Sequence, residues 1–242
     1  MSISKKQINS TTGVVTFLDV LGWKGIWQRK QNAIDDLESL VSSLSKLSEK
    51  LSRGLSSASG IYATPTKVMI ISDTIVIFTE TALNNAIEAI ELHGHLCSDA
   101  IPSSIKKGIP LRGATSFGQT IISNNNSIYA GKAIDEAASW HESANWIGVF
   151  LSPSANFIFD NPETKFWVKY DPPLKNNSTY NTQTVKWFDT NRPSDLLNIK
   201  KDFLQLSPIV PEVVNKFTNT IQYINCITKR CTRTGESCEV HE

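Results

Sequence analysis

Short β-branched runs alternate with long stretches of helical periodicity along this chain. Residues 14–18 (Val-Val-Thr-Phe-Leu) form an apolar run of strand length and predict a central strand. Asp19-Val20-Leu21-Gly22-Trp23 then predicts a strand-to-helix turn, with Gly22 permitting close backbone approach. Over 31–51 the apolar positions Ala33, Ile34, Leu37, Leu40, Val41, Leu44, Leu47 and Leu51 recur at helical spacing, so a long amphipathic helix with one buried stripe is expected. The small, serine-rich stretch 54–60 predicts a flexible connection that ends it. Two apolar runs, 63–71 and 74–79, meet at Ser72-Asp73 and read as a tight hairpin.

A second helix is expected next, carrying Ala82, Leu83, Ala86, Ile87, Ile90, Leu96 and Cys97 inward, with His93 and His95 as surface or helix-end residues. Pro102 and Gly108-Ile109-Pro110 punctuate the following connection. A strand rich in small residues spans 111–118 and continues to 122, and Asn124-Asn125-Asn126 reads as a turn. Helix 132–142 and strand 146–151 complete the order β-α-β-β-α-β-β-α-β, an α+β chain with a ferredoxin-like βαββαβ core. Residues 1–152 form that core. Residues 153–242 form a C-terminal β/α extension, with strands expected near 166–170 and 184–188 and helices near 195–204 and 211–227, packed on the core or on a dimer partner.

Composition adds boundaries rather than chemistry. With 242 residues, 40% hydrophobic and a formal net charge of +1, the chain can bury a sizeable core and offers no electrostatic reason to expect nucleic acid or a membrane as partner. No apolar run approaches the ~20 residues of a bilayer span. The polar first residues lack the apolar stretch of a secretory signal, so a cytoplasmic protein is expected. Cys97 reads as a small core residue, and Cys226, Cys231 and Cys238, with His241, lack the paired spacing of a zinc site.

Candidate chemistry starts from two acids. In a ferredoxin-like sheet the first strand lies antiparallel to the third, so Asp19 at the end of one meets Asp73 at the start of the other. Strands ~4.8 Å apart suit two divalent ions ~3.5–4 Å apart. Mg²⁺ commonly takes one or two carboxylates plus substrate phosphates. The turn Val20-Leu21-Gly22-Trp23 could present backbone N–H groups to a triphosphate. The alternative is that Asp19 caps a helix and Asp73 is an ordinary turn residue.

Phe17-Leu18-Asp19-Val20-Leu21-Gly22-Trp23, Ile71-Ser72-Asp73-Thr74, Leu111-Arg112-Gly113-Ala114 and Tyr129-Ala130-Gly131-Lys132-Ala133-Ile134 together resemble the class III nucleotide cyclase catalytic domain. Within that group the chain is most similar to the bacterial pyrimidine cyclases of the Pycsar anti-phage systems, in order from about residue 14 to 151. The resemblance implies a cyclase that makes cyclic UMP or cyclic CMP, a head-to-tail homodimer with its sites at the interface, and a separate effector protein that responds to the product. It implies two Mn²⁺ or Mg²⁺ ions per site, held by Asp19, Asp73 and the Val20 carbonyl. One ion would help deprotonate the ribose 3′-hydroxyl and the other would hold the triphosphate.

Departures from the purine enzymes define the remaining expectations. Those enzymes read adenine with a lysine and an aspartate, and the matching positions here are Lys67 and Ile128. Adenine readout is thus incomplete, and Tyr62 could fill the space a purine would take, or be a half-buried strand residue. The asparagine and transition-state arginine of the third helix correspond to Asp135 and Ser139. With the arginine missing, Arg112 and Lys132 are candidate replacements, although Arg112 could equally be paired to an acid. A non-catalytic nucleotide-binding module, or an adenylate or guanylate cyclase with an altered base pocket, are the competing functions.

Overall fold

The computed structural model describes residues 8–59, 66–123, 129–160, 164–176, 178, 180–189, 193–206, 209 and 211–234. Its frame is one sheet, of eight strands among the described residues, in the order β2-β3-β1-β4-β6-β8-β7, with β5 pairing β4 at the side. The strands are β1 Ile8–Val20, β2 Lys67–Ile71, β3 Thr74–Glu80, β4 Leu111–Ser123, β5 Tyr129–Ala130, β6 Gly148–Leu151, β7 Trp167–Tyr170 and β8 Thr182–Val185. The helices are α1 Ile26–Arg29, α2 Ala33–Ser59, α3 Ala86–Lys106, α4 Lys132–Ser143, α5 Pro153–Ile158, α6 Pro193–Gln205 and α7 Pro211–Thr234. β1 is antiparallel to both β3 and β4, as the ferredoxin-like order requires, and β6 runs parallel to β4.

The alternation within β1 decides which helix covers which face. Val14 and Leu18 belong to the large core with α2, α3 and the C-terminal helices, where Leu37, Leu40, Leu44, Ile90, Leu96 and Ile101 are buried. Val15, with Phe17 packed alongside, belongs to a smaller cluster with Val76, Phe78 and the α4 residues Ala133 and Ala137. Each fully buried aliphatic side chain removes enough apolar surface from water to contribute about 1.5–3 kcal/mol. By the same period of two, Asp19 falls on the α4 side.

Several elements differ from the sequence expectation, each for a physical reason. α2 continues to Ser59, because a glycine at position 54 weakens a helix without ending it. Pro102, expected to break the second helix, lies inside α3, which starts only after a 3₁₀ turn at Leu83–Asn85 and leaves Leu83 exposed. His93, expected near the surface, is fully buried. β1 begins well before residue 14, because its polar first half pairs with the far end of β4. β8 sits two residues earlier than expected, since Thr182, Gln183 and Thr184 are buried polar residues, and the hydroxyls of Thr182 and Thr184 donate to the carbonyls of Leu151 and Val168.

The C-terminal elements extend the same sheet. β8 pairs β6 at Phe150↔Thr184 and β7 pairs β8. α7 docks here through Tyr223, fully buried against Trp146, Tyr170 and Phe188, with its hydroxyl donating to the Val185 carbonyl at 2.9 Å. Cys97 is buried in the core, and Cys226 is partly buried on α7. The expected turn at 124–126, together with Cys238 and His241, lies outside the described residues.

Candidate active site

Backbone register brings Asp19 and Asp73 to one corner of the sheet. Asp19 pairs with Thr74 across β1 and β3, and the Val20 N–H donates to the Asp73 carbonyl at 3.2 Å. Asp73 lies in the two-residue turn between β2 and β3, where Ser72 adopts a left-handed backbone (φ 61°). Such a conformation is unusual outside glycine and tightens the turn beneath the acid. The Asp73 carboxylate makes no hydrogen bond or ion pair with the described residues.

Asp19 is held instead by Arg112, its register partner on β4. The guanidinium Nε donates to Asp19 Oδ2 at 2.8 Å, and Nη2 meets the same oxygen at 2.8 Å. Nη1 donates to the carbonyls of Glu142 and Ala144, each at 3.1 Å, at the C-terminal end of α4. With side-chain exposures of 12% and 15%, this pair is too enclosed to be an ordinary solvated surface contact. Arg112 therefore spends its donors on the protein, and in this arrangement it does not reach out as the free cation that would replace the transition-state arginine.

The other expected positions are distributed around this corner. The Leu21 N–H donates to the Pro110 carbonyl and that of Val20 is taken by Asp73, so these two amides of the turn are engaged within the fold. Gly22 has a left-handed backbone (φ 75°), and Trp23 accepts the Ile26 N–H that opens α1, a single helical turn placed ahead of α2. Lys67 is exposed at the start of the edge strand β2. Lys132, Asp135 and Ser139 are all exposed, on the side of α4 opposite the buried Ala133, Ala137 and His141. Tyr62 and Ile128 lie outside the described residues.

Three side chains that the sequence did not single out also feel the charge of Asp19. His141 is buried at the end of α4, its Nδ1 3.2 Å from the Ala137 carbonyl and its ring 5.6 Å from that of Phe17. Burial lowers its pKa, and the Asp19 charge opposes that shift. Lys175 and Lys216 have lowered pKa values, first through desolvation and then through the positive charge of Arg112, with Asp19 pulling the other way. No motif marks these lysines, because they come from the extension and meet the corner only through tertiary packing.

The donors at this corner fit a small hard cation. Asp19 uses Oδ2 for both Arg112 contacts, the Asp73 carboxylate is uncommitted among the described residues, and carboxylate and carbonyl oxygens are the donors Mg²⁺ and Mn²⁺ take. Among the described residues no group of three or more His, Cys, Asp and Glu converges, so such a cation would draw further ligands from substrate or solvent. A groove of about 510 Å³ between α2 and α3, lined by Leu51, Ile87, Leu92 and Phe166, lies on the other side of the sheet from Asp19.

This sheet order, with helices on both faces, is the fold of class III nucleotide cyclase catalytic domains. The chain is similar to the catalytic core of a rhodopsin-guanylyl cyclase with converted specificity, solved in complex with ATPαS, at a TM-score of 0.53 and 14% identity over 74% of this chain and 98% of that one. It is likewise similar to the adenylyl cyclase CyaB from P. aeruginosa, at a TM-score of 0.52 and 13% identity over 74% of this chain and 96% of that one. At these identities the likeness is one of fold. No protein-family model matches the sequence, and no curated protein matches it significantly. Among the described residues no helix is long and apolar enough to cross a membrane.

Proposed function

We propose that the chain is a pyrimidine nucleotide cyclase, converting UTP or CTP to the 3′,5′-cyclic nucleotide and pyrophosphate. The observation that carries this reading is the meeting of Asp19 and Asp73 at one corner of a cyclase-type sheet. Asp19, Asp73 and the Val20 carbonyl would hold Mg²⁺ or Mn²⁺. When bound, the ions neutralise the triphosphate and favour ionisation of the ribose hydroxyl. Arg112 fixes Asp19 through one oxygen and leaves Oδ1 for a cation, much as hydrogen-bonded partners orient metal-binding carboxylates elsewhere. The 3′-oxygen attacks the α-phosphorus in line, its proton passes to solvent, and the bond to the pyrophosphate oxygen breaks. Holding these groups in line and compensating their charge supplies most of such a rate enhancement.

Base choice rests on Lys67 and Ile128, which supply at most one of the two polar contacts an adenine needs. A role in bacterial antiviral defence, with a separate effector that senses the product, follows from the sequence resemblance alone. The purified chain, incubated with Mn²⁺ or Mg²⁺ and each of the four NTPs, is expected to release pyrophosphate and cyclic product chiefly from UTP or CTP. Asp73→Ala is expected to lose at least a hundredfold of that turnover while retaining the wild-type circular dichroism. Purine turnover alone would overturn the base assignment, and unaltered turnover in Asp73→Ala would overturn the metal assignment.

Two observations favour a second reading, a nucleotide-binding module without turnover. Arg112 is tied to Asp19, and a serine stands where the third-helix arginine would be. UTP binding with no product from any NTP would select it.

A further inference from the structure

We infer that the C-terminal helix α7 takes part in the same site, with Lys216 and Lys175 forming a cationic wall beside Arg112 that receives the polyphosphate end of a nucleotide. The strand, loop and helix that carry these three cations all dock on one segment, residues 142–147. From the sheet, Arg112 Nη1 donates to the carbonyls of Glu142 and Ala144. From the extension, the Lys175 N–H donates to the Ser143 carbonyl at 2.9 Å, the Asn145 N–H donates to Pro173, and Ala144 bridges Leu174. From α7, Asn219 Nδ2 donates to the Asn145 carbonyl at 2.7 Å, and the Ile147 N–H donates to Thr220 Oγ1 at 2.8 Å. Lys216 lies one turn before Thr220 and accepts its hydroxyl at the backbone, which puts Lys216 on the same face of α7 as Asn219 and Thr220.

Three cations, Arg112, Lys175 and Lys216, here face two carboxylates, Asp19 and Glu142. Neither Lys175 nor Lys216 forms an ion pair with a described residue, and Asp19 is already paired to Arg112. Lys216 is nonetheless partly buried. The lowered pKa values of both lysines, one exposed and one partly buried, agree with partial desolvation and repulsion from neighbouring cations. An oxyanion placed among them would relieve that repulsion and be held by charge-assisted hydrogen bonds.

The inference rests on the nucleotide reading above, and the experiment separates the two. Inorganic tripolyphosphate is titrated calorimetrically into the full chain, and UTP turnover with Mn²⁺ is measured in parallel. Lys216→Ala is expected to weaken tripolyphosphate binding and raise the KM for UTP roughly tenfold or more. Lys216→Arg is expected to restore both, and the thermal melts of all three proteins should coincide. Equal affinity in wild type and Lys216→Ala, or no binding by wild type, would overturn the role of α7 even if cyclic product forms. Lys216-dependent binding without product from any NTP would instead leave the anion site standing and remove the cyclase.

Discussion

His93 is the residue whose chemistry departs most from its surroundings. It is fully buried on α3, with Nδ1 2.7 Å from Thr16 Oγ1 and Nε2 2.9 Å from Thr79 Oγ1. Thr115 and Thr66 extend the chain of hydroxyls at 2.7 Å on either side. Burial holds the imidazole neutral, with its pKa lowered to about 3. The unfolded chain therefore binds a proton that the folded chain refuses once pH falls below the ordinary histidine value, so stability falls with pH from about 6.5 toward 3. His93 is expected to contribute a slope of about 1.4 kcal/mol per pH unit in that window, and the buried His141 adds in the same direction. Urea unfolding at pH 7, 6 and 5 checks this, with His93→Gln expected to flatten the slope; an identical slope in the variant would refute it. The buried position of His93 was legible from register, three residues after Ile90 and four before Cys97, and only its polarity concealed it. Asp19 and Asp73 were legible because each ends or begins an apolar run. Lys175 and Lys216 carried no such signal.

At the scale of elements, α4 depends on a backbone that only glycine tolerates. Gly131 precedes the helix with φ 124°, and a side chain there would come within 2.6 Å of the Gln119 carbonyl on β4. The approach lets Ser116 Oγ donate to the Ala133 carbonyl and seats Ala133 and Ala137 on β1 and β3. Gly131→Ala is expected to cost about 1–3 kcal/mol. It should also lower turnover, because the far end of α4 supplies the carbonyl that anchors Arg112. Chemical denaturation together with an NTP assay tests both halves, and a variant with wild-type stability would sink the account. Elements with one dominant period, such as β1, α2 and α3, could be read from the sequence. β8 could not, because three of its four buried residues are polar, and the hydroxyls of Thr182 and Thr184 are satisfied by partners distant in the chain. The extent of α3 was hidden by Pro102, whose cost in a helix interior is outweighed here by Ile101, Ser104 and Ile105, all buried around it.

The whole molecule presents its candidate groups on surfaces of two kinds. Asp19, Arg112, Lys175 and Lys216 cluster within one chain, whereas Lys132 and Asp135 point outward from α4 with no ion pair to a described residue. The edge strand β2 adds exposed apolar surface beside Asp73, with Ile70 at 41% and Ile71 at 57% exposure. A lone domain gains nothing from exposed isoleucines at a sheet edge, while a second copy would cover them. In the head-to-tail dimer that the sequence resemblance implies, Lys132 of one protomer would complete the acidic corner of the other. Asp73→Ala and Lys132→Ala are each expected to be nearly inactive alone. Mixed in equal amounts and allowed to exchange, half the dimers are heterodimers and each carries one intact site, so about a quarter of wild-type activity is expected to return. Turnover per protomer should also rise with protein concentration through the dimerisation range, with sedimentation velocity reporting the association itself. If the mixture stays inactive while sedimentation shows that exchange has occurred, Lys132 acts on its own chain's acids or not at all, and the shared-site arrangement fails.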